Sequence, residues 1–306
     1  MQLWHRLFSA FLSAVTAVAA LFGATYTDAF VPGTFPEIGI EAQAEDSVRI
    51  MSFNIRCADV NGTEAYKRRL IALEEILRIA PDSLGVQEAT PEWMLWLRAL
   101  PQYGVVGEGR EGGFRGEHCP VLYNREKYRL VDSDTFWLSE TPDEVSYGWD
   151  AECLRVCTWA MLENRKTGAR YVHVNSHFDY TEGVAVRESA NMITALIAER
   201  FADVPVVFTA DMNTTAGSEA YRIMTASLTD TRTAAPDSVS FGTFHGAHPE
   251  THAGYIIDYV LCSPDITPLV YRTVTEGVNG RFVSDHFPIY ADLRFPAAAA
   301  GKRPVC

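Results

Sequence analysis

At 306 residues the chain has material for one large α/β domain or two small ones, and its 47% hydrophobic content is that of an ordinary soluble globular protein. Its 26 basic and 39 acidic residues give a formal charge of −13. The first 46 positions hold one base (Arg6) and five acids (Asp28, Glu37, Glu41, Glu45 and Asp46), so the rest is 25 against 34, or −9. That excess of acid disfavours broad binding to a nucleic-acid backbone, which wants a basic face, but leaves room for a local basic groove or a metal-bridged phosphate.

Residues 7–27 contain no charged side chain and are rich in Leu, Phe, Val and Ala, with His5 and Arg6 just before them. The pattern reads as an export signal, and the run is also long enough to span a bilayer, which takes about 20 apolar residues. Residues 1–27 are therefore expected to be a signal peptide or membrane anchor, with membrane contact through 7–27. The rest would be exported, either secreted or held at the cell surface. Ala42-Gln43-Ala44 has the small-x-small form of a cleavage site, yet it lies well beyond the apolar run. Residues 28–46 read as a linker, 47–296 as one catalytic domain and the Ala-rich 297–306 as a tail. Six cysteines with no CxxC pair suggest neither a zinc site nor a dense disulfide framework; most sit beside apolar residues, as buried free thiols do.

Along the domain, 48–55 reads as a strand and 64–80 as a helix with Leu70, Leu73, Ile76 and Leu77 on one face, stopped by Pro81. A strand over 83–88 is followed by Thr90-Pro91, an N-cap and first-turn pair that opens a helix. The segment 107–118 is glycine-rich and reads as a flexible surface loop. Strands over 155–163 and 169–178 flank Asn164-Arg165-Lys166-Thr167-Gly168, a hairpin loop. Then come a helix over 187–201, a buried strand over 205–209 and another over 256–262. Helices between strands at both ends and a hairpin in the middle predict an α/β domain with a mixed sheet system and helices outside, not a doubly wound parallel sheet.

Several of these apolar runs end in polar residues suited to phosphate ester hydrolysis, which needs charge neutralisation on the phosphoryl oxygens, an activated water and a stabilised leaving group. Asn54 closes the first strand and Glu88 the second. An acid after Leu84-Gly85-Val86 should not be buried without a partner, and a hard cation such as magnesium or manganese is a natural one. Taken alone, Glu88 is also explained as a cap on the next helix. Asp211-x-Asn213 puts two polar side chains on one side of a strand; an Asx turn would explain the same pair. His177 and Asp179 share that spacing. Asp285-His286 places an acid beside a base that titrates near neutrality. Asp258, a carboxylate between Ile257 and Tyr259, is the natural residue to orient His286.

The ordered series Asn54, Glu88, His177, Asp211, Asn213, Asp258, Asp285 and His286 resembles the endonuclease/exonuclease/phosphatase superfamily, which includes deoxyribonuclease I-like nucleases, nocturnin-type deadenylases, sphingomyelinases and inositol polyphosphate 5-phosphatases. The resemblance covers 48–293. It implies a four-layer sandwich, two packed mixed β-sheets flanked by helices, with a magnesium-dependent site at one edge of the sheets. By that similarity Glu88 binds the metal, with Asn54 and Asp285 close to it. His286, supported by Asp258, acts as general base or holds the phosphate. His177 stabilises the phosphoryl oxygens, and Asp211 with Asn213 aligns a water that attacks in line, without a covalent intermediate.

Residues 134–142, Gly148-Trp149-Asp150 and Arg155-x-x-Thr158-Trp159 resemble bacterial members distantly similar to nocturnin-type enzymes. Arg155 is a candidate phosphate contact or a strand-edge ion pair. Trp137, Trp149 and Trp159 read as packing rather than as a ring-binding pocket. Ala89-Thr90 after Glu88 departs from abasic-site endonucleases, and Ile256-Ile257-Asp258-Tyr259 departs from the inositol 5-phosphatases. The expected activity is metal-dependent phosphodiester hydrolysis on nucleic acid or a nucleotide. The alternatives are a phospholipid or sugar-phosphate headgroup as substrate, or a binding protein that has lost turnover. No protein partner is inferable.

Overall fold

The computed structural model describes residues 40–58, 63–246, 254–278 and 281–296. The expected leader (1–27), most of the expected linker and the tail (297–306) lie outside the described residues. Among the described residues, no helix is long and apolar enough to cross a membrane. Part of the expected linker is structured: Gln43 donates to Asp82 (2.6 Å), Arg49 donates to the Glu41 carbonyl and Arg272 to the Glu41 carboxylate. The segment 40–46 thus packs on the domain, with Glu41 supplying acceptors to Arg49 and Arg272.

Two mixed sheets form the centre. The first has seven strands: β1 (Val48–Asn54), β2 (Ser83–Gln87), β3 (Tyr103–Val106), β4 (Val121–Asn124), β10 (Asp237–Val239), β12 (Thr267–Thr273) and β13 (Ile289–Arg294). Their order is β10-β12-β13-β1-β2-β4-β3. The second has six: β5 (Tyr128–Trp137), β6 (Val156–Asn164), β7 (Arg170–His177), β8 (Val206–Asp211), β9 (Thr229–Asp230) and β11 (Asp258–Cys262), ordered β5-β6-β7-β8-β11-β9. β1 and β2 run parallel, as do β7 and β8, while β11 runs antiparallel to β8. The mixed arrangement expected from the patterning is what forms.

Side-chain alternation sorts the core into three layers. Ile50, Val207, Val260, Ile289 and Ala291 pack between the sheets. Met51, Phe53, Leu84 and Val86 point the other way, onto α1 (Thr63–Ile79) and α2 (Pro91–Arg98). Val172, Val174, Phe208 and Leu261 pack against α3 (Val184–Arg200) and α4 (Glu219–Thr225). A last short helix, α5 (Thr231–Ala234), sits beside β12. The result is helix, sheet, sheet, helix, the four-layer α/β sandwich.

The helix ends follow local chemistry. α1 stops where Ala80 turns left-handed (φ 51°) ahead of Pro81. α2 starts at Thr90, whose side chain accepts from Trp93 N–H, as expected. α3 begins three residues earlier than its periodicity suggests. Its N-cap is Gly183, which offers no side chain, and the Asp150 carboxylate accepts from Val184 N–H (3.0 Å) and Ala185 N–H (2.7 Å) instead. A cap supplied from a separate loop leaves no trace in the helix's own sequence.

Two neighbouring acids on α1 are buried, Glu74 and Glu75; Arg78 donates to Glu75 at 2.6 Å. Burial pushes both carboxyls up, each to about 7, with Arg78 opposing the shift. A carboxyl that holds its proton more tightly when folded favours the fold at low pH, and that contribution is lost as pH rises from 4.5 toward 7. Glu74→Gln is therefore expected to raise the melting temperature at pH 8 and to leave it unchanged at pH 4. Thermal denaturation at the two pH values checks this; equal effects at both would contradict it.

Candidate active site

The face between the sheets changes character along the strands. On β1 the inward residues run Ile50, Ser52, Asn54; on β8, Val207, Thr209, Asp211; on β7, Tyr171, His173, Asn175, His177. Each strand thus begins in the apolar inter-sheet core, passes through a polar middle and ends with a chemically active side chain. Parallel pairing sets His177 beside Asp211 and brings Asn54 level with Gln87, one residue before Glu88. β11 enters the sheet from the opposite direction, so its first residue, Asp258, pairs with Asp211. His286 lies in the loop that leads into β13 and is bridged there to Phe244.

The polar middle is a continuous hydrogen-bond network. Gln87 donates to Asn175 Oδ1 (2.7 Å) and to Ser52 Oγ, Thr209 Oγ1 donates to Asn175 Oδ1, and His173 links Ser83 Oγ to Thr209 Oγ1 at 2.8 Å on each side. Asn175 Nδ2 donates to the Val86 and Pro120 carbonyls. These groups join the two sheets immediately behind the reactive residues.

At the edge, the side chains form one connected set. Asn54 Nδ2 donates to Glu88 Oε1 and Asp211 Oδ2, both at 2.9 Å, and the Cys57 N–H donates to Glu88 Oε2 at 2.6 Å. Asp211 Oδ1 accepts from Asn213 N–H (2.9 Å). Asn213 Nδ2 lies 2.9 Å from His177 Nε2, which is 3.5 Å from Asp211 Oδ2. His286 Nδ1 is 2.8 Å from Asp258 Oδ2, and its Nε2 faces Asp211 Oδ2 at 3.7 Å. Glu88 and Asn213 hold left-handed backbone, φ 62° and 49°, a costly conformation for the glutamate and one that asparagine adopts readily.

Burial governs the charges. It lowers the pKa of His177, helped by the nearby Arg155 cation, so the ring is neutral. It also works against a charged His286, but Asp258 and Asp211 more than offset it, holding the proton well above the ordinary histidine range. Asp211 moves up from the usual carboxylate range through burial and the neighbouring Asp258. Burial works against a charged Glu88 as well, but the Cys57 and Asn54 donors hold its carboxyl below the ordinary range. The set therefore contains a firmly charged carboxylate, a carboxylate with raised proton affinity, a neutral imidazole and an imidazolium.

Of the residues expected from sequence, Asn54, Glu88, His177, Asp211, Asn213, Asp258 and His286 come together in this set. Asn54 joins the set as an amide donor. Lying between two carboxylates it must present its amide nitrogen, and its oxygen accepts from Arg56 N–H (2.9 Å), so it orients Glu88 and Asp211. Asp285 stands at the margin: Arg56 Nε is 3.5 Å from its Oδ2, and its backbone carbonyl accepts from His245 N–H. Arg155 is buried 3.8 Å from Asp179, and its Nε has no hydrogen-bond partner. Trp159 is core, packed on Phe201, and the nearly buried Trp137 donates to the Arg110 carbonyl.

Sequence reasoning missed Cys57 and Glu117, whose ligand-type atoms lie within 4.8 Å of each other and of one on Glu88. Glu117 comes from the segment expected to be flexible. That expectation is corrected: the glycines build tight turns, with Gly109 N–H on the Gly113 carbonyl (2.8 Å) and Arg110 N–H on that of Glu117 (2.9 Å). The segment is then stitched to the site by a bridge between His118 and Ala89. The five described cysteines are free thiols.

A sheet edge that gathers acids, amides and two histidines at the ends of strands from two packed sheets defines a phosphoesterase-type site on a four-layer scaffold. The comparisons name the class. Residues 51–286 match the model of the Endonuclease/Exonuclease/phosphatase family, and the chain belongs to that family of phosphoric ester hydrolases. A solved family protein from Bacteroides vulgatus is 34% identical, covers 82% of this chain and 99% of its own, and superposes with a TM-score of 0.76. The Bacteroides thetaiotaomicron mannosyl-6-phosphatase Bt3783 is 29% identical over 81% of this chain and 100% of its own, with a TM-score of 0.74. The human nocturnin catalytic domain, 17% identical over 82% of this chain and 94% of its own, shares the fold at a TM-score of 0.64. An uncharacterized protein of Acanthamoeba polyphaga mimivirus is 26% identical over 157 residues; the match spans 48% of this chain and 58% of that protein.

Proposed function

We propose that this protein is a divalent-metal-dependent hydrolase that cleaves phosphate esters by direct in-line attack of water. The observation that carries this reading is the connected set from Glu88 through Asn54, Asp211, His177 and Asn213 to His286 and Asp258. A hard cation fits the site's acidic side. Glu88 is a mostly buried carboxylate, and its hydrogen-bond partners among the described residues are the neutral Cys57 and Asn54 N–H groups, which leave its charge uncompensated. Glu88 would hold magnesium, or manganese in its place, with Asp285 proposed as a second carboxylate from the margin of the set. When bound, the ion neutralises phosphoryl charge and stabilises the leaving oxygen.

The protein's own groups divide the remaining work. His286 carries its proton because Asp258 sits on Nδ1, so its Nε2–H donates to a phosphoryl oxygen rather than removing a proton. The base role falls to Asp211, whose raised proton affinity suits it to orient and deprotonate the water. Asn213 Nδ2 donates to His177 Nε2 and to the Phe178 carbonyl, so it fixes the neutral His177 ring beside the phosphoryl site, and Asn54 bridges the two carboxylates.

Residues 7–27 make the protein exported, secreted or surface-anchored. On substrate class, a nucleotide-type phosphodiester and a sugar-phosphate headgroup both suit the phosphate-binding set; the likeness to a mannosyl-6-phosphatase favours the second.

Hydrolysis in ¹⁸O-water tests the reaction. The label should enter the phosphate product in one step with no phosphoenzyme trapped by acid quench; label in the alcohol would contradict in-line attack on phosphorus. Arg155→Ala is expected to raise KM by about tenfold or more with a smaller change in kcat, the value of a lost charged hydrogen bond. Arg155→Lys should not restore it if the planar guanidinium is what grips the phosphate. Steady-state kinetics of the two variants checks both statements.

A further inference from the structure

Directly beside the reactive set lies a cavity of about 390 Å³ whose walls include Asn213, Thr214, Thr215, Ser218, Glu182 and Tyr255. The volume falls within the range of small-ligand sites, about 300–1,000 Å³. Asn213 belongs to both places: its amide is 2.9 Å from His177 Nε2 and the residue also lines the cavity. The opposite wall is tied to the other histidine, because Tyr255 is bridged to Phe244, which is bridged to His286 and packs its ring 4.9 Å from the imidazole. A group bonded to a phosphoryl oxygen at the histidines would extend into this cavity.

The lining chemistry selects what that group is. It offers one carboxylate, one carboxamide, three aliphatic hydroxyls and a phenol ring, and among the described residues no lysine or arginine lines it. A nucleic-acid strand would bring a second phosphate toward Glu182 with no cation to meet it. A neutral polyhydroxylated ring meets the opposite situation: its hydroxyls donate to Glu182 and exchange hydrogen bonds with Asn213 and the threonines. Its C–H face can lie against Tyr255, which is 69% exposed. The frame is fixed before anything binds. Tyr259 Oη donates to the Thr214 and Ile256 carbonyls (3.0 Å each), and Ser218 N–H donates to the Thr215 carbonyl (3.0 Å).

We infer that this cavity is the leaving-group subsite and that it takes the sugar of a sugar phosphate. The inference rests on the phosphate-ester reading above and assigns its substrate class. In the reaction, the water oxygen bonds to phosphorus, the P–O bond to the sugar breaks, and the sugar leaves as the free alcohol, the proton given up by the water balancing the one its oxygen takes up. Tyr255 and Glu182 are then specificity residues: they touch the leaving group and not the phosphoryl oxygens.

The test uses the magnesium-loaded protein and three substrates: a hexose 6-phosphate, propyl phosphate, which presents the same phosphoryl group on a plain alkyl chain, and a dinucleotide. The wild type should prefer the hexose phosphate over propyl phosphate by about 100-fold or more in kcat/KM, since a site built for hydroxyls rejects an analogue without them. Tyr255→Ala and Glu182→Gln, both at exposed positions, should each cut that preference by about tenfold or more, through KM. A wild type that prefers the dinucleotide or does not distinguish the two monoesters, or variants with unchanged preference, would overturn the sugar subsite and leave phosphate ester hydrolysis standing. Absence of any hydrolysis sensitive to Glu88→Ala would overturn that reading and the subsite with it.

Discussion

Replacing His286 by alanine is expected to lower kcat by about 10²- to 10³-fold while KM changes little, the cost of losing one preorganised donor to charge that develops in the transition state. The magnitude follows from how completely the ring is held. Asp258 accepts from Nδ1 at 2.8 Å, Phe244 packs against the imidazole, and the side chain is 6% exposed, so Nε2–H is aimed before substrate arrives. Asp258→Asn should give a smaller loss in the same direction, because an amide positions the ring without holding its proton. Steady-state kinetics on variants shown to be folded by circular dichroism measures this. A His286→Ala enzyme within threefold of wild type would remove the residue from the chemistry.

Gly85→Ala is expected to destabilise the fold by about 3 kcal/mol or more, at the upper end of what overpacking a core costs. A methyl at this position would stand 2.0 Å from Thr209 Oγ1 and 2.4 Å from Asn175 Oδ1. Neither neighbour is free to retreat, since Thr209 also meets His173 and Asn175 also bonds Gln87, Val86 and Pro120. Moving either leaves a buried polar group without its partner, adding a second penalty to the steric one. Denaturant titration checks this: the midpoint should fall sharply with an unchanged slope. A shift under about 1 kcal/mol would mean that the sheets can separate locally at little cost.

The same region shows what the amino-acid pattern reveals and what it hides. Asn54, Glu88, Asp211 and His177 stand out because each closes a strand-like run, and although a cap or an Asx turn explains some of them singly, their recurrence in one chain points to a shared site. The scaffold behind them is quieter. His173, Asn175 and Thr209 look like ordinary alternation in a strand, and only the facing sheet shows that their inward sides form one network. Gly85 reads as a gap in an apolar run until Thr209 and Asn175 are seen occupying the space of its missing side chain. The orientation of Asn54 was equally hidden, since spacing places a residue and only its neighbours choose which end of an amide faces them. Glu117 lay in a segment whose glycines suggest flexibility, whereas their left-handed torsions build the tight turns that carry it to Glu88.

Turnover with and without metal is the most direct measurement of the central claim. The protein would be stripped with a chelator, assayed for product release from phosphate esters, reloaded with magnesium or manganese, and compared with Glu88→Gln. The expected result is activity that vanishes on chelation, returns with either ion, and stays at least about 100-fold lower in the variant at any ion concentration. Activity that survives both chelation and loss of the Glu88 charge would contradict a metal-assisted mechanism at this site.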